Sequence, residues 1–150
     1  MTRDNIVLAL KKISVEKMKI FLVCPVRKIG KKEYKMQQEY VAKMEAKGHE
    51  VHWPHRDTKQ NDPTGIKIIT TNRQAVANSD EIHFWWKADK NGKSKSEGSV
   101  FDFGMAWMLK YFYPETKMII ANPLKVNPSK NKSFTNVLLL LDSVDSIKTL

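Results

Sequence analysis

The run Lys19-Ile20-Phe21-Leu22-Val23-Cys24-Pro25 is apolar after its first residue and ends at a proline. A strand with no polar alternation has to be buried on both faces, which places it inside a parallel sheet covered by helices. Three further short runs share its character: Glu50-Val51-His52-Trp53-Pro54, Ile82 to Trp86, and Lys117-Met118-Ile119-Ile120-Ala121-Asn122 closed by Pro123. Between them lie segments with helical spacing. The first covers 32–47, with Tyr34, Gln38, Val41, Ala42 and Met44 marking its stripes and Gly48 as its stop. The second covers about 65–78, where Ile66, Ile69, Ala75 and Val76 face inward and Asn72 faces elsewhere. The third covers about 98–112, with Val100, Met105, Trp107, Met108 and Leu109 as core candidates.

This alternation reads as an α/β fold: one doubly wound (flavodoxin/Rossmann-like) domain with a mostly parallel sheet of four to five strands flanked by helices. Val137 to Leu141 is ambiguous and reads as a fifth strand or a helix, with Ser143 to Leu150 as a short helix after it. Residues 1–17 read as an amphipathic helical appendage on Ile6, Val7, Leu10 and Ile13, and 18–150 as the α/β domain. Two loops stand out. His55 to Gly65 is long and polar, and 87–97, with Lys87, Lys90, Lys93 and Lys95, reads as a solvated lid.

The 150 residues carry 26 Lys+Arg against 16 Asp+Glu, a net charge of +10 that favours anionic partners. Nucleic acid is suggested by net charge alone, since no Arg-rich block or RNP-like aromatic pattern accompanies it. Cys24 is the single cysteine, so no intrachain disulfide forms. His49, His52 and His55 cluster, but His49 faces away from His52 on a strand, and no metal or cofactor is expected. No apolar run approaches the ~20 residues of a membrane span and no signal-peptide pattern is present, so the expected location is the cytoplasm.

The stretch Ser96-Glu97-Gly98-Ser99-Val100-Phe101-Asp102-Phe103-Gly104-Met105-Ala106 follows the third strand and opens a helix. A strand, a small-residue loop and a helix start form a phosphate-binding turn. Gly98 and Ser99 let a ligand approach backbone N–H groups, and Asp102 lies one turn further on. The same pattern also fits a plain crossover, with Asp102 near the helix start for dipole reasons.

In order, these segments resemble the nucleoside 2-deoxyribosyltransferases and their relatives, the nucleotide N-glycosidases, from about Lys19 to Pro123. The family's first strand ends in a small-residue turn, matched by Val23-Cys24-Pro25. In the branch acting on 2'-deoxynucleoside 5'-monophosphates an Arg follows two residues on, and Arg27 stands there. Gly98, Gly104 and Ala106 match the family signature around its catalytic acid, and Ser96 precedes that acid by six residues, as a phosphate-binding Ser does in the monophosphate hydrolases. Two positions depart. Asp102 stands where the family has Glu, and Asn72 stands where its helix carries an Asp toward the sugar.

The resemblance implies cleavage of an N-glycosidic bond, or 2-deoxyribosyl transfer, on a small nucleoside or nucleotide, 5'-phosphorylated by preference. Asp102 would be the carboxylate nucleophile. Arg27, Ser96 and Ser99 would hold the phosphate, with Cys24, Pro25, Gly98 and Asn122 lining the ligand. Asn72 and Asp57 would complete the catalytic set, with Asp62 and Asp80 as other candidates for the acid; Asp80 reads better as a turn residue. Trp53 is available to stack on the base, although core packing suits it as well. The family assembles as homo-oligomers, dimers or larger. The alternative is a catalytically weakened, nucleotide-binding relative, which Asn72 and the shortened acid favour.

Overall fold

The computed structural model describes residues 16–124, 127–130 and 132–142. The strands are β1 (Lys19–Val23), β2 (Glu50–His52), β3 (Glu81–Phe84) and β4 (Lys117–Ile120), and the helices are α1 (Lys31–Ala46), α2 (Pro54–Asp57), α3 (Ile66–Ala77), α4 (Glu97–Phe112) and α5 (Phe134–Asp142). The four strands form one parallel sheet in the order β2-β1-β3-β4. Phe21 pairs with His52 on one side, and Leu22 pairs with His83 on the other. The doubly wound α/β expectation is met.

Two apolar clusters sandwich the sheet. Alternate residues of β1 divide between them: Phe21 and Val23 join Val76, Phe84, Trp86, Phe103, Ala106 and Leu138, so α3, α4 and α5 cover that face. Ile20, Leu22 and Cys24 join Val41, Met44, Val51 and Trp53, so α1 covers the other. The unbroken apolar run of β1 is thus used on both sides. Several polar groups drawn into this interior are satisfied. On β3 the His83 Nε2–H donates to Glu81 Oε2 at 2.8 Å, while Nδ1 accepts the Tyr40 hydroxyl at 2.6 Å.

Several inward faces differ from the sequence reading. On α1 the buried stripe is Gln37, Val41 and Met44, and Tyr34, Gln38 and Ala42 lie outside it. Gln37 is held inside because its amide accepts from Trp53 Nε1 at 3.1 Å and donates to the Pro25 carbonyl at 3.4 Å. On α3, Asn72 and Val76 are buried while Ile66 and Ile69 are exposed. The Asn72 Oδ1 accepts the Thr58 hydroxyl at 2.8 Å, which offsets part of the penalty of burying an amide. On α4, Ser99, Asp102, Phe103 and Ala106 face the sheet, Val100, Met105 and Leu109 pack at its margin, and Trp107 and Met108 point outward.

The sheet has no fifth strand among the described residues, because Phe134–Asp142 is helical. Its Thr135 Oγ1 accepts Trp86 Nε1 at 2.9 Å, and Asp142 Oδ1 accepts the Ile120 N–H at 2.7 Å, on the β4 edge where another strand would have paired. The 87–97 segment forms a hairpin, with Lys90, Lys93 and Lys95 exposed as expected of a solvated loop. Lys95 N–H donates to the Lys87 carbonyl, and Asp89 Oδ1 accepts the N–H groups of Asn91 and Lys93. The His55–Gly65 loop opens with the turn α2 and ends with Asp62 capping α3. The appendage expected over 1–17, apart from residues 16 and 17, and the helix expected over 143–150 lie outside the described residues.

Phe103 is 4% exposed and meets Phe84, Trp86 and Phe134 edge-on. Phe103→Ala is expected to destabilise the protein by about 3–5 kcal/mol, read as a lower denaturant midpoint with an unchanged slope.

Candidate active site at the carboxyl ends of β1 and β3

Strand order turns at β1: the chain leaves β1 toward β2 through α1, and leaves β3 toward β4 through α4. The two helices diverge on opposite faces, and the crevice between the carboxyl ends of β1 and β3 is the switch point at which such folds bind ligands. Cys24 and Pro25 leave β1 there, Trp85, Trp86 and Lys87 leave β3, and the hairpin returns the chain to Ser96 at the start of α4.

Ser96 caps α4, its Oγ accepting the Ser99 N–H at 3.1 Å. Its own O–H meets no acceptor among the described residues and remains free to donate. Gly98 is exposed, and nothing lies within 4 Å of where a Cβ would stand, so the first turn is open to an approaching group. Ser99 is 1% exposed, and its Oγ has no hydrogen-bond partner, the one such buried side-chain atom among the described residues. Asp102 lies one turn on, on the same stripe and 6% exposed.

Asp102 differs from every other described aspartate. Asp57 accepts the Trp53 N–H, Asp62 those of Lys67 and Ile68, Asp80 that of Lys19, Asp89 those of Asn91 and Lys93, and Asp142 that of Ile120. Asp102 makes no hydrogen bond or ion pair among the described residues, and burial pushes its carboxyl from the ordinary 3.8 up to about 7. Burial thus opposes its ionisation with no donor to offset it, whereas the others each receive backbone N–H groups.

Around it the crevice is lined from both sides. The Cys24 thiol is raised by burial first, then by the nearby charges of Asp102 and Glu33, against an opposing contact with the Trp53 indole. It stays a thiol and acts as a small apolar wall. Pro25 is buried, and its carbonyl accepts the Nε2–H of His55 at 3.1 Å. Burial lowers the pKa of His55, which keeps its ring neutral. Tyr34, Trp53 and His55 pack ring to ring, with centroids 5.1–5.4 Å apart, and Tyr34 is the exposed member. Glu33, in the first turn of α1, takes Lys87 Nζ at 2.7 Å. Glu33 was not singled out from sequence, and Lys87 was read only as one lysine of the solvated 87–97 loop; the only signal for Glu33 was its position just after a turn. Arg27 is exposed on the loop leaving β1, with no acidic partner among the described residues.

Other expected members are committed elsewhere. Asn122 bridges the ends of β3 and β4, its Oδ1 accepting the Trp86 N–H at 2.7 Å and its Nδ2 donating to the Trp86 carbonyl at 2.8 Å. Asn72 belongs to the chain His52 Nε2–Thr58 Oγ1–Asn72 Oδ1, both links 2.8 Å. Burial opposes ionisation of Asp57, but the Arg56 guanidinium and the Trp53 N–H outweigh it and hold the carboxyl below its usual range, which disqualifies Asp57 as an acid. Asp80 anchors Lys19 at the amino end of the sheet, away from the crevice. The described residues hold no group of three His, Cys, Asp or Glu side chains arranged to bind a metal, and no described helix is long and apolar enough to cross a membrane. No protein-family model matches the chain, and no curated protein matches it.

A carboxyl with a raised folded-state pKa binds more protons folded than unfolded, so stability is lost as pH rises from about 4 through about 7. The shift from 3.8 to about 7 corresponds to at most about 4 kcal/mol. Asp102→Asn is therefore expected to unfold later than the wild type at pH 8 and to converge with it near pH 4. Parallel thermal-unfolding curves across that range, with no pH-dependent gap, would show that the carboxyl is not desolvated.

Proposed function

We propose that the crevice cleaves the N-glycosidic bond of a 2'-deoxynucleoside 5'-monophosphate, as a hydrolase or as a deoxyribosyl transferase, with Asp102 as the carboxylate. The observation that carries this reading is the pairing of Asp102 and Ser99, two buried and unpartnered polar groups on one stripe of α4, at the switch point of a cationic chain. Among the described residues Ser99 Oγ is the one fully buried side-chain N or O atom without a hydrogen-bond partner, and Asp102 carries the one buried carboxyl.

On this reading the ionised Asp102 forms a C–O bond to the anomeric carbon as the C–N bond breaks, the bonding pair leaving with the base. Water then releases the sugar phosphate, or a second base accepts the sugar. The free O–H of Ser96, the open N–H groups beside Gly98 and the guanidinium of Arg27 are the donors available to the 5'-phosphate. Ser99, beside the carboxylate, meets a polar group of the sugar. Tyr34 offers the base an exposed ring. Asp57 and Asp62 are held ionised by their donors, so the departing base takes its proton from water.

A second reading, a weakened relative that binds the nucleotide without turning it over, is favoured by one observation. Asn72, where a sugar-facing acid would stand, is buried, and its Oδ1 is taken by the Thr58 hydroxyl.

Incubation with each deoxynucleoside 5'-monophosphate, followed by chromatography of free base, separates the readings. Hydrolysis is expected, rising with pH through about 7 as Asp102 ionises and falling at least ~100-fold in Asp102→Ala. Arg27→Ala is expected to raise KM for nucleotides about tenfold and to leave nucleosides unchanged. Binding without base release supports the second reading; binding of neither class of compound refutes both.

A further inference from the structure

Lys87 and Glu33 lie in the crevice, yet neither has a task in the proposed reaction. Their Nζ–Oε2 distance is 2.7 Å, and the Lys87 side chain is 37% exposed. The other lysine–carboxylate pairs among the described residues are looser and wetter. Lys17–Glu50, Lys35–Glu39 and Lys117–Glu81 stand 3.9–4.0 Å apart, with their lysine side chains 67–74% exposed. Exposed pairs at such distances contribute little. Lys87 is held by direct contact, across 54 residues of chain.

The backbone beneath it is fixed as well. Asn122 engages both the N–H and the carbonyl of Trp86, at 2.7 and 2.8 Å, and the Lys87 carbonyl accepts the Lys95 N–H at 2.9 Å. Lys90, Lys93 and Lys95, further along the hairpin, are exposed and carry no such restraint on their side chains. An ammonium has three N–H donors, and Glu33 is the one acceptor that Lys87 meets among the described residues. Two donors therefore remain for a ligand, on a side chain whose place is already set.

The placement of the pair relative to Asp102 gives those donors a use. Asp102 belongs to α4, on one face of the sheet, and Glu33 to α1, on the other. Cys24, at the end of β1, lies within reach of the charges of both. Displacement at the anomeric carbon puts the nucleophile and the leaving base on opposite sides of the sugar. A sugar attacked from the α4 wall turns its base toward the α1 wall, where Tyr34 follows Glu33 and exposes its ring. On the N-glycosidase reading, on which this inference rests, we propose that Lys87 stabilises the departing base and that Glu33 positions its ammonium to do so. As the C–N bond breaks, its electron pair passes into the base, and the Nζ–H groups hydrogen-bond the ring nitrogen or oxygen on which the charge collects. Lys87 keeps its proton, and water protonates the released base. The leaving group thus gains the assistance that Asp57 and Asp62, occupied by backbone N–H groups, do not give.

Leaving-group dependence in the full chain tests this. Each deoxynucleoside 5'-monophosphate that the wild type cleaves is paired with a form whose base departs more readily: the N7-methylated purine, which leaves neutral, or the 5-nitro pyrimidine, whose ring spreads the charge. Lys87→Met is expected to lower kcat on the ordinary nucleotide about 100-fold, with KM within about threefold of wild type, and to lower kcat on the activated one less than about threefold. Glu33→Gln keeps an acceptor for Nζ and is expected to lose about tenfold on the ordinary nucleotide and nothing on the activated one. It decides by the same comparison if Lys87→Met loses its far-ultraviolet circular dichroism. Equal losses on both substrates in a folded variant mark a merely structural pair and overturn the proposal while the N-glycosidase reading stands. So does a raised KM with kcat unchanged, which assigns Lys87 to the phosphate. A wild type that releases base from no nucleotide overturns both.

Discussion

The burial of one stripe of α4 governs the structure. Phe103 and Ala106 fill the space over β1 and β3, against Phe21, Val23, Phe84 and Trp86. Helical geometry does not let them go in alone: positions 99 and 102 lie one turn back on the same stripe, so packing the aromatic ring carries Ser99 and Asp102 out of water. The hydrophobic contact thus raises the carboxyl pKa to about 7. A cost of up to about 4 kcal/mol at alkaline pH is large beside the roughly 5–15 kcal/mol by which folded domains are stable. The core at Phe103 and the chemistry at Asp102 are therefore one arrangement seen from two sides.

The other aspartates sharpen the contrast. Asp57, Asp62, Asp80, Asp89 and Asp142 tie a turn, a helix start, a strand start, a hairpin and a sheet edge, each through backbone N–H groups. An acid that receives such donors is structural in effect. Asp102 lies near enough to a helix start to be read in the same way, and the plain-crossover alternative assumed that it was. Its lack of donors is what separates the two readings. Serine at 96 already caps Ser99, which leaves the carboxylate outside the capping scheme.

Strand identity and order of elements were legible because a parallel strand buried on both faces has an unmistakable composition, and Lys19–Val23 has it. Helix faces were not. Apolar residues at helical spacing were assigned inward, but Trp107 and Met108 on α4 and Ile66 and Ile69 on α3 point outward, while Gln37, Asn72 and Asp102 point in. Periodicity identifies a stripe and not which stripe the core accepts. That choice was made by distant partners, Trp53 for Gln37 and Thr58 for Asn72, which no local pattern reveals. For the same reason Asn122 read as a ligand contact when its amide joins two strand ends, and the ion pair of Lys87 with Glu33 went unnoticed because the two residues lie far apart in the chain. Ser96, Gly98, Ser99 and Asp102 were legible because they sit together in the chain as well as in space.

Within the proposed reading, the short acid at 102 poses a geometric question that α4 itself constrains. The helix cannot slide toward a ligand to make up a missing methylene, since Phe103 and Ala106 fix it against the sheet. The ligand has to come nearer by about an ångström, a distance on which a reaction of this kind depends steeply. The residues at the helix start permit that approach. Gly98 leaves its surroundings empty, and the small Ser99 leaves its hydroxyl unengaged beside the carboxylate. A bulkier first turn would hold the sugar off, and a longer acid would crowd it. The pairing of small residues at 98 and 99 with an aspartate at 102 is thus self-consistent for a site that draws its substrate in against the helix.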